Sequence, residues 1–324
     1  MDRSRREFLR VAAAGALAAT PFVPRRAGAE SAAKIGTAVL GDYSMVGPVS
    51  VALERGYFKE NGLSAELVPF RGGPDLLKAV MGGEILVGLT GGTDILVFRE
   101  AGARIKMVAT QVEGNHFTLN VRPEIRAVAD LRGKAIGVTR VGSTTWIFAR
   151  LLARQNGWDP ERDLTIVALG GFDAQVAALS RNEIQAIVWG DGGAVLEAEG
   201  KSKILKRLDS VTPRWISEIS YASEDAIARR SEDIRRALRA IFQAMRWMKE
   251  RPAEAATIAA KTLQWDPRAV LLAHRLSSPL FSRDGGVDLA ALRAMQDTLL
   301  EQGVLKQRLP LEDHYTTAFT PVRV

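Results

Sequence analysis

The sequence predicts two doubly wound α/β domains, a class indicated by an internal repeat, by glycine-containing loops after short apolar runs, and by helix-length stretches between those runs. The repeat is the most informative of the three. Leu77 to Gly91 (LKAVMGGEILVGLTG) aligns without a gap on Val176 to Gly190 (VAALSRNEIQAIVWG), with Glu84 and Glu183 standing 99 residues apart. Each copy runs from an apolar helical stretch through a short turn to Glu-Ile. An apolar run suited to a buried parallel strand follows, then a glycine loop.

The likeness extends upstream. Val68 and Gly72 match Val167 and Gly171, and Asn61-Gly62 matches Asn156-Gly157, each pair closing a preceding helix. Further back, Ile35-Gly36 and Gly41 match Ile136-Gly137 and Gly142. Strands alternating with helices at this spacing imply parallel sheets with right-handed crossovers. The first domain is expected to take residues 34–116 together with 220–324, and the second residues 121–215. Phe117–Val121 and Ile216–Tyr221 are short, apolar-alternating and placed where the chain passes between domains, so they are the candidate hinge strands.

Beyond Tyr221 the pattern turns helical. Between Glu232 and Lys249, apolar residues recur at Ile234, Leu238, Ile241, Phe242, Met245 and Met248 with a helix period, and Pro252, Pro267 and Pro279 mark starts or breaks of further helices. This helical tail is expected to pack back onto the first domain, because its apolar faces suit intramolecular packing.

The amino terminus carries its own signal. Ser4-Arg5-Arg6-Glu7-Phe8-Leu9-Arg10 precedes an apolar run from Val11 to Ala19 and a small-residue site at Ala27-Gly28-Ala29, the three regions of an export signal. The paired arginines followed by Phe-Leu resemble a twin-arginine signal, so residues 1–29 are expected to be removed after Ala29 and the chain to reach the periplasm. The apolar run falls well short of the ~20 residues that span a bilayer.

Charge and cysteine content narrow the function classes. The net charge is +7, but six arginines against two acids in the first 29 residues account for +4 of it, leaving +3. A remainder that small, scattered among acids, is no footprint for nucleic acid. Cysteine is absent, which removes disulfides, thiol nucleophiles and cysteine metal sites. The three histidines, His116, His274 and His314, have no metal-ligand spacing, and neither a nucleophile elbow nor a phosphate loop is present. No cofactor, no metal and no catalytic residue is expected.

In open parallel sheets, ligands sit outside the carboxyl ends of strands, where loops lead into helix amino termini. That rule selects Asp42, Tyr43 and Ser44, then Gly72, then Thr90, Gly91 and Thr93, and the loop Gln111 to Asn115 in the first domain. In the second it selects Gly142, Ser143 and Thr144, Gly170-Gly171, and the loop with Trp189 and Asp191. Gly142-Ser143-Thr144 enters a helix directly, so its amides and hydroxyls suit an anion, although Ser143 and Thr93 are equally well placed as ordinary helix caps. Tyr43 and Trp189 could stack on a planar ligand or pack under neighbouring loops. Asp42, Asp94 and Asp191 oppose a simple anion site. Three carboxylates would repel a sulfonate unless turned away or used at a helix amino terminus, and if they face the ligand it should be an amine, an N–H heterocycle or an amphoteric molecule.

Together, Glu54-Arg55-Gly56-Tyr57-Phe58-Lys59-Glu60-Asn61-Gly62-Leu63, Ala79 to Gly92, Asp130 to Val138 and Gly142-Ser143-Thr144 resemble the periplasmic substrate-binding proteins of ABC transporters, of the nitrate/sulfonate/bicarbonate and taurine type, with relatives that bind thiamine-precursor pyrimidines. The resemblance covers most of the chain after residue 29. Leu86 and Gln185 stand where such proteins usually carry Asp. It implies a type II binding-protein fold and a monomer that captures a small solute, a sulfonate- or nitrate-like anion or a small heterocycle. The closed form would dock on a permease served by a separate ATPase. The enzymatic relatives use a cysteine-rich iron site that this chain cannot form. A periplasmic enzyme on the same fold and a solute sensor for a signalling receptor are the alternatives.

Overall fold

The computed structural model describes residues 32–212 and 214–324; the expected export signal lies outside the described residues. The chain enters at strand β1 (Ala33–Thr37) and passes through helices α1 (Tyr43–Glu54) and α2 (Tyr57–Glu60) to β2 (Ala65–Pro69). Then come α3 (Gly73–Met81), β3 (Val87–Gly91), α4 (Gly92–Glu100) and β4 (Ile105–Glu113). The second lobe repeats this plan. It contains β5 (Thr118–Val121), β6 (Ala135–Val138), α5 (Thr144–Gln155), β7 (Thr165–Ala168), α6 (Phe172–Ser180), β8 (Ala186–Trp189), α7 (Gly192–Ala198) and β9 (Lys203–Arg207). Strand β10 (Ile216–Ser223) leads to α8 (Glu224–Arg229), α9 (Ser231–Glu250), α10 (Pro252–Leu263), α11 (Pro267–Ser277) and α12 (Leu289–Glu301).

The repeat seen in the sequence is a structural repeat. Helices α3 and α6 begin and end at equivalent positions, and β3 and β8 begin at equivalent positions. In the first lobe Ile35 pairs with Leu67 on one side and Val87 on the other; in the second Ile136 pairs with Ile166 and Ala186. These neighbours are parallel, and β1, β3, β6 and β8 are almost wholly buried, which is why they read as apolar runs. The turn before each third strand needs a left-handed residue, supplied by Gly83 (φ 75°) in one copy and Asn182 (φ 62°) in the other.

The sheets are mixed, not wholly parallel. Their orders are β2-β1-β3-β10-β4 and β7-β6-β8-β5-β9. Strand β10 is antiparallel to β3 and β4, and β5 is antiparallel to β8 and β9. Each of these two strands arrives from the other lobe, so no helical crossover sets its direction. Strand β4 also runs through Gln111 to Glu113, a stretch expected to be loop.

The helical tail explains the placement of α1. Helices α9 and α10 pack against α1, as does α11, which also reaches α7 of the second lobe. Pro252 and Pro267 begin α10 and α11, as the sequence suggests, because a first-turn proline loses no helical hydrogen bond. Pro279 sits in a short 3₁₀ turn at Ser278–Leu280. No helix among the described residues is long and apolar enough to cross a membrane.

Candidate functional site

At the seam between the lobes, the carboxyl ends of β3 and β8 and the amino termini of α1 and α5 converge on a cavity of ≈ 40 Å³. That is room for about three waters or a correspondingly small solute. Of the residues selected from sequence, Asp42, Gly72, Thr90, Gly91, Ser143, Thr144 and Trp189 line it. Ala38, Val39, Met45 and Phe117 supply apolar wall, and Thr139 and Thr145 add hydroxyls. Among the described residues no lysine or arginine lines it, whereas Asp42, Asp94 and Glu218 do.

The remaining selected residues lie outside the wall. Tyr43 is fully buried, its hydroxyl bonded to Nδ1 of His274 at 2.8 Å. Asn115 donates to the Leu208 carbonyl at 3.1 Å and to Thr212 Oγ1 at 2.6 Å, bracing the strand crossover. Gly142 has φ 80° and precedes Ser143, whose Oγ accepts from the Trp146 amide as the α5 cap. Ser44, Thr93 and Asp191 stand one layer behind the cavity and build the junction between lobes.

That junction is a reciprocal exchange of carboxylates. Asp191, from the loop after β8, accepts from the Tyr43 amide at 2.7 Å and the Ser44 amide at 2.8 Å, so it occupies the amino terminus of α1 in the opposite lobe. Ser277 on α11 donates to the same carboxylate at 2.5 Å. In the other direction Asp94, from α4 in the first lobe, accepts from the hydroxyl of Thr144, the first residue of α5, at 3.3 Å. Thr90 donates to Asp94 at 2.5 Å, and Thr93 and Thr144 join hydroxyls at 2.6 Å. Trp189 adds a third link by donating from Nε1 to the Gly41 carbonyl at 2.6 Å. Asp42 is the N-cap of its own helix, accepting from Met45 N–H at 3.3 Å and Ser44 Oγ at 2.7 Å. The first-turn amides of α1 are thereby taken by side chains of the chain itself.

Burial perturbs these groups. Desolvation pushes Asp94 up to about 7, against hydrogen bonds from Thr90 and Thr144. It likewise pushes Asp191 up to about 7, reinforced by the Asp42 charge and opposed by His116, Ser277 and the Tyr43 amide. Glu218 lies well above the carboxylate range, through burial first and then the charges of Asp42, Asp191 and Asp94. For His116, burial lowers the imidazole, but the nearby Asp42 carboxylate, with Asp191, more than offsets it, and the net direction is upward.

Glu218 is the residue that loop-based selection misses. It lies on β10 opposite Gly91, between two register irregularities that disrupt the ladder and aim its side chain into the seam. Its signal in the sequence is a lone acid inside the apolar-alternating run Ile216–Tyr221. The fold also gathers Asp42, His116 and Glu218, whose potential ligand atoms lie within 4.8 Å of one another, although nothing in their spacing along the chain indicates a metal set. His116 Nε2 is 3.6 Å from Asp42 and 3.8 Å from Glu218.

Similar proteins fit this architecture. A binding protein of Brucella abortus is 25% identical over 285 residues, covering 85% of this chain and 88% of its own. The ligand-binding component of an ABC-type import system from Staphylococcus aureus, solved with zinc bound, superposes with a TM-score of 0.75 at 15% identity, covering 91% of this chain and 99% of its own. The periplasmic aliphatic sulphonate binding protein of Escherichia coli superposes at 0.69 and 20% identity, covering 89% and 92%. A desulfurization enzyme shares the fold more distantly, at 0.60 and 16%, covering 90% and 98%. These structural likenesses establish the periplasmic-binding-protein fold, and similar proteins named for binding outnumber this enzyme. The sequence profile described as NMT1/THI5 like matches residues 44–255, and the chain belongs to that family.

Proposed function

We propose that this chain is the solute-binding component of an ABC importer, exported to the periplasm, which captures a small molecule between its lobes and presents the closed form to a permease served by a separate ATPase. The supporting observation is the seam itself. Residues of both lobes share one small cavity, and its closure is fastened by hydrogen bonds between backbone or side-chain groups of opposite lobes. Such contacts can be broken and remade by a hinge at the two strand crossovers without disturbing either sheet. The lobes divide at residues 34–116 with 220–324, and 121–215. The names of the S. aureus and E. coli neighbours agree with this role.

The proposal includes no turnover. Among the described residues, the cavity wall holds carboxylates and hydroxyls but no activated nucleophile in contact with a base, and His116 and Ser44 stand behind the wall against Asp42 and Glu218. Asp42, Gly72, Thr90, Gly91, Ser143, Thr144 and Trp189 are proposed as ligand-contacting residues. Tyr43, Ser44, Thr93, Asn115, Gly142 and Asp191 hold the cleft in shape.

Small-angle scattering and thermal melting of the full chain against a solute library test this role. A binding solute is expected to contract the molecule and to stabilise it by about 2.7 kcal/mol at a hundredfold excess over Kd. A solute consumed at a steady rate would instead establish an enzyme.

A further inference from the structure

We propose that the cleft is built for a small organic cation with N–H donors, of the ammonium or amidinium class, held by Glu218 with Asp42 and Asp94. This rests on the solute-binding function proposed above and names its ligand class.

At α1 the donors that would receive an anion are already engaged. Asp191 and Asp42 take the first three amides of α1, and at the start of α5 Ser143 accepts from the Trp146 amide. The start of α1 therefore has no free first-turn amide to offer an oxyanion. Among the described residues such an ion would also meet three carboxyl groups, Asp42, Asp94 and Glu218, with no cationic side chain in the wall.

Glu218 points to the occupant directly. Its side chain is buried, it lines the cavity, and neither carboxylate oxygen has a hydrogen-bond partner among the described residues. A buried carboxylate without donors is costly, and native structures seldom leave one without a purpose. His116 Nε2 is 3.8 Å away and lies closer to Asp42 and Ser44. An amidinium or ammonium would supply N–H groups to both Glu218 oxygens, in charge-assisted bonds stronger than neutral ones. Phe117, Val39 and Met45 would face its apolar body.

A divalent metal on Asp42, His116 and Glu218 is the competing occupant of the same charge. Metal-bound histidines normally donate their second ring nitrogen to an acceptor, which fixes the ring. His116 Nδ1 has no partner among the described residues, so the ring is not supported as a metal ligand.

The test is calorimetric titration of the full chain with near-isosteric probes: acetamidinium, acetamide and acetate, then methylammonium, methanesulfonate, nitrate and Zn²⁺. Acetamidinium or methylammonium is expected to bind and to contract the molecule in scattering, while acetamide and the anions do neither. Glu218→Gln is expected to weaken the cation at least tenfold, with unchanged circular dichroism and an unliganded melting temperature equal to or above that of the parent. Asp42→Asn and Asp94→Asn provide second variants should that one misfold. Contraction by methanesulfonate or nitrate would overturn the cation class while leaving the solute-binding function standing. Zn²⁺ binding lost in His116→Ala, without binding of either organic cation, would also overturn it. No binding and no contraction with any probe would overturn both.

Discussion

Asp94 shows how one buried side chain can make stability depend on pH. Its carboxyl sits at about 7 in the fold against 3.8 for the ordinary group, so between those values the folded chain holds a proton that the unfolded chain has lost. The stabilisation is therefore complete below about pH 4 and disappears as pH rises through 7, by at most about 4 kcal/mol for a shift of this size. Asp94→Asn is expected to flatten the fall in melting temperature between pH 4 and 8, measured by differential scanning calorimetry. An unchanged slope would mean that Asp94 is ionised in the fold. Asp191 carries a different consequence. Asp191→Ala frees the Tyr43 and Ser44 amides, and each unsatisfied donor costs about 1–3 kcal/mol unless water or an anion reaches it. The variant is expected to bind sulfate where the parent does not, as read by calorimetry. Absence of that gain would show that the α1 terminus does not depend on this carboxylate.

Between elements, the repeated unit makes a comparison possible inside one chain. Gly83 and Asn182 occupy the same left-handed turn ahead of β3 and β8. Asn182→Ala is expected to destabilise by about 1–2 kcal/mol in urea unfolding, and Asn182→Gly by much less, because Ala keeps the β-carbon that opposes the left-handed conformation but lacks the polar group that lets Asn adopt it, whereas Gly has no β-carbon. Equal effects of the two would mean that the Asn side chain, not its backbone, holds the turn. Most elements of this kind are visible in the sequence, since period, turn residues and helix-starting prolines are local. Strands β4 and β9 are less visible. Gln111 to Glu113 reads as polar loop, yet it is ladder-bonded to β10, because a strand whose partner lies 100 residues away in the chain carries no local sign of that partner. Direction is equally non-local, and β5 and β10 run antiparallel for the same reason.

At the scale of the molecule, closure depends on how near the lobes can come. A β-carbon on Gly91 would strike the Thr144 side chain of the opposite lobe. Gly91 has φ −64°, which alanine adopts freely, so the obstruction is between lobes, not within the strand. Gly91→Ala is expected to enlarge the radius of gyration and to weaken solute binding at least tenfold, with both sheets intact by circular dichroism. An unchanged scattering profile with unchanged affinity would show that the lobes meet elsewhere.

By itself the sequence determined the repeat, the α/β class, the helical tail and a set of loops, because glycine turns, apolar runs and helix caps act over a few residues. Seven of the residues selected from those loops line the cavity, and the strand-end rule explains why they were legible. What each carboxylate does was decided only by tertiary structure. Asp94 and Asp191 stand at the starts of their own helices in the sequence, yet in the fold Asp191 takes the α1 amides of the other lobe, Asp94 accepts from the hydroxyl of the first α5 residue there, and Glu218 reaches the seam through two irregularities in its strand. The physical reason is that a carboxylate's role follows from desolvation and from the donors within about 3 Å. Both are set by chain segments far away in sequence.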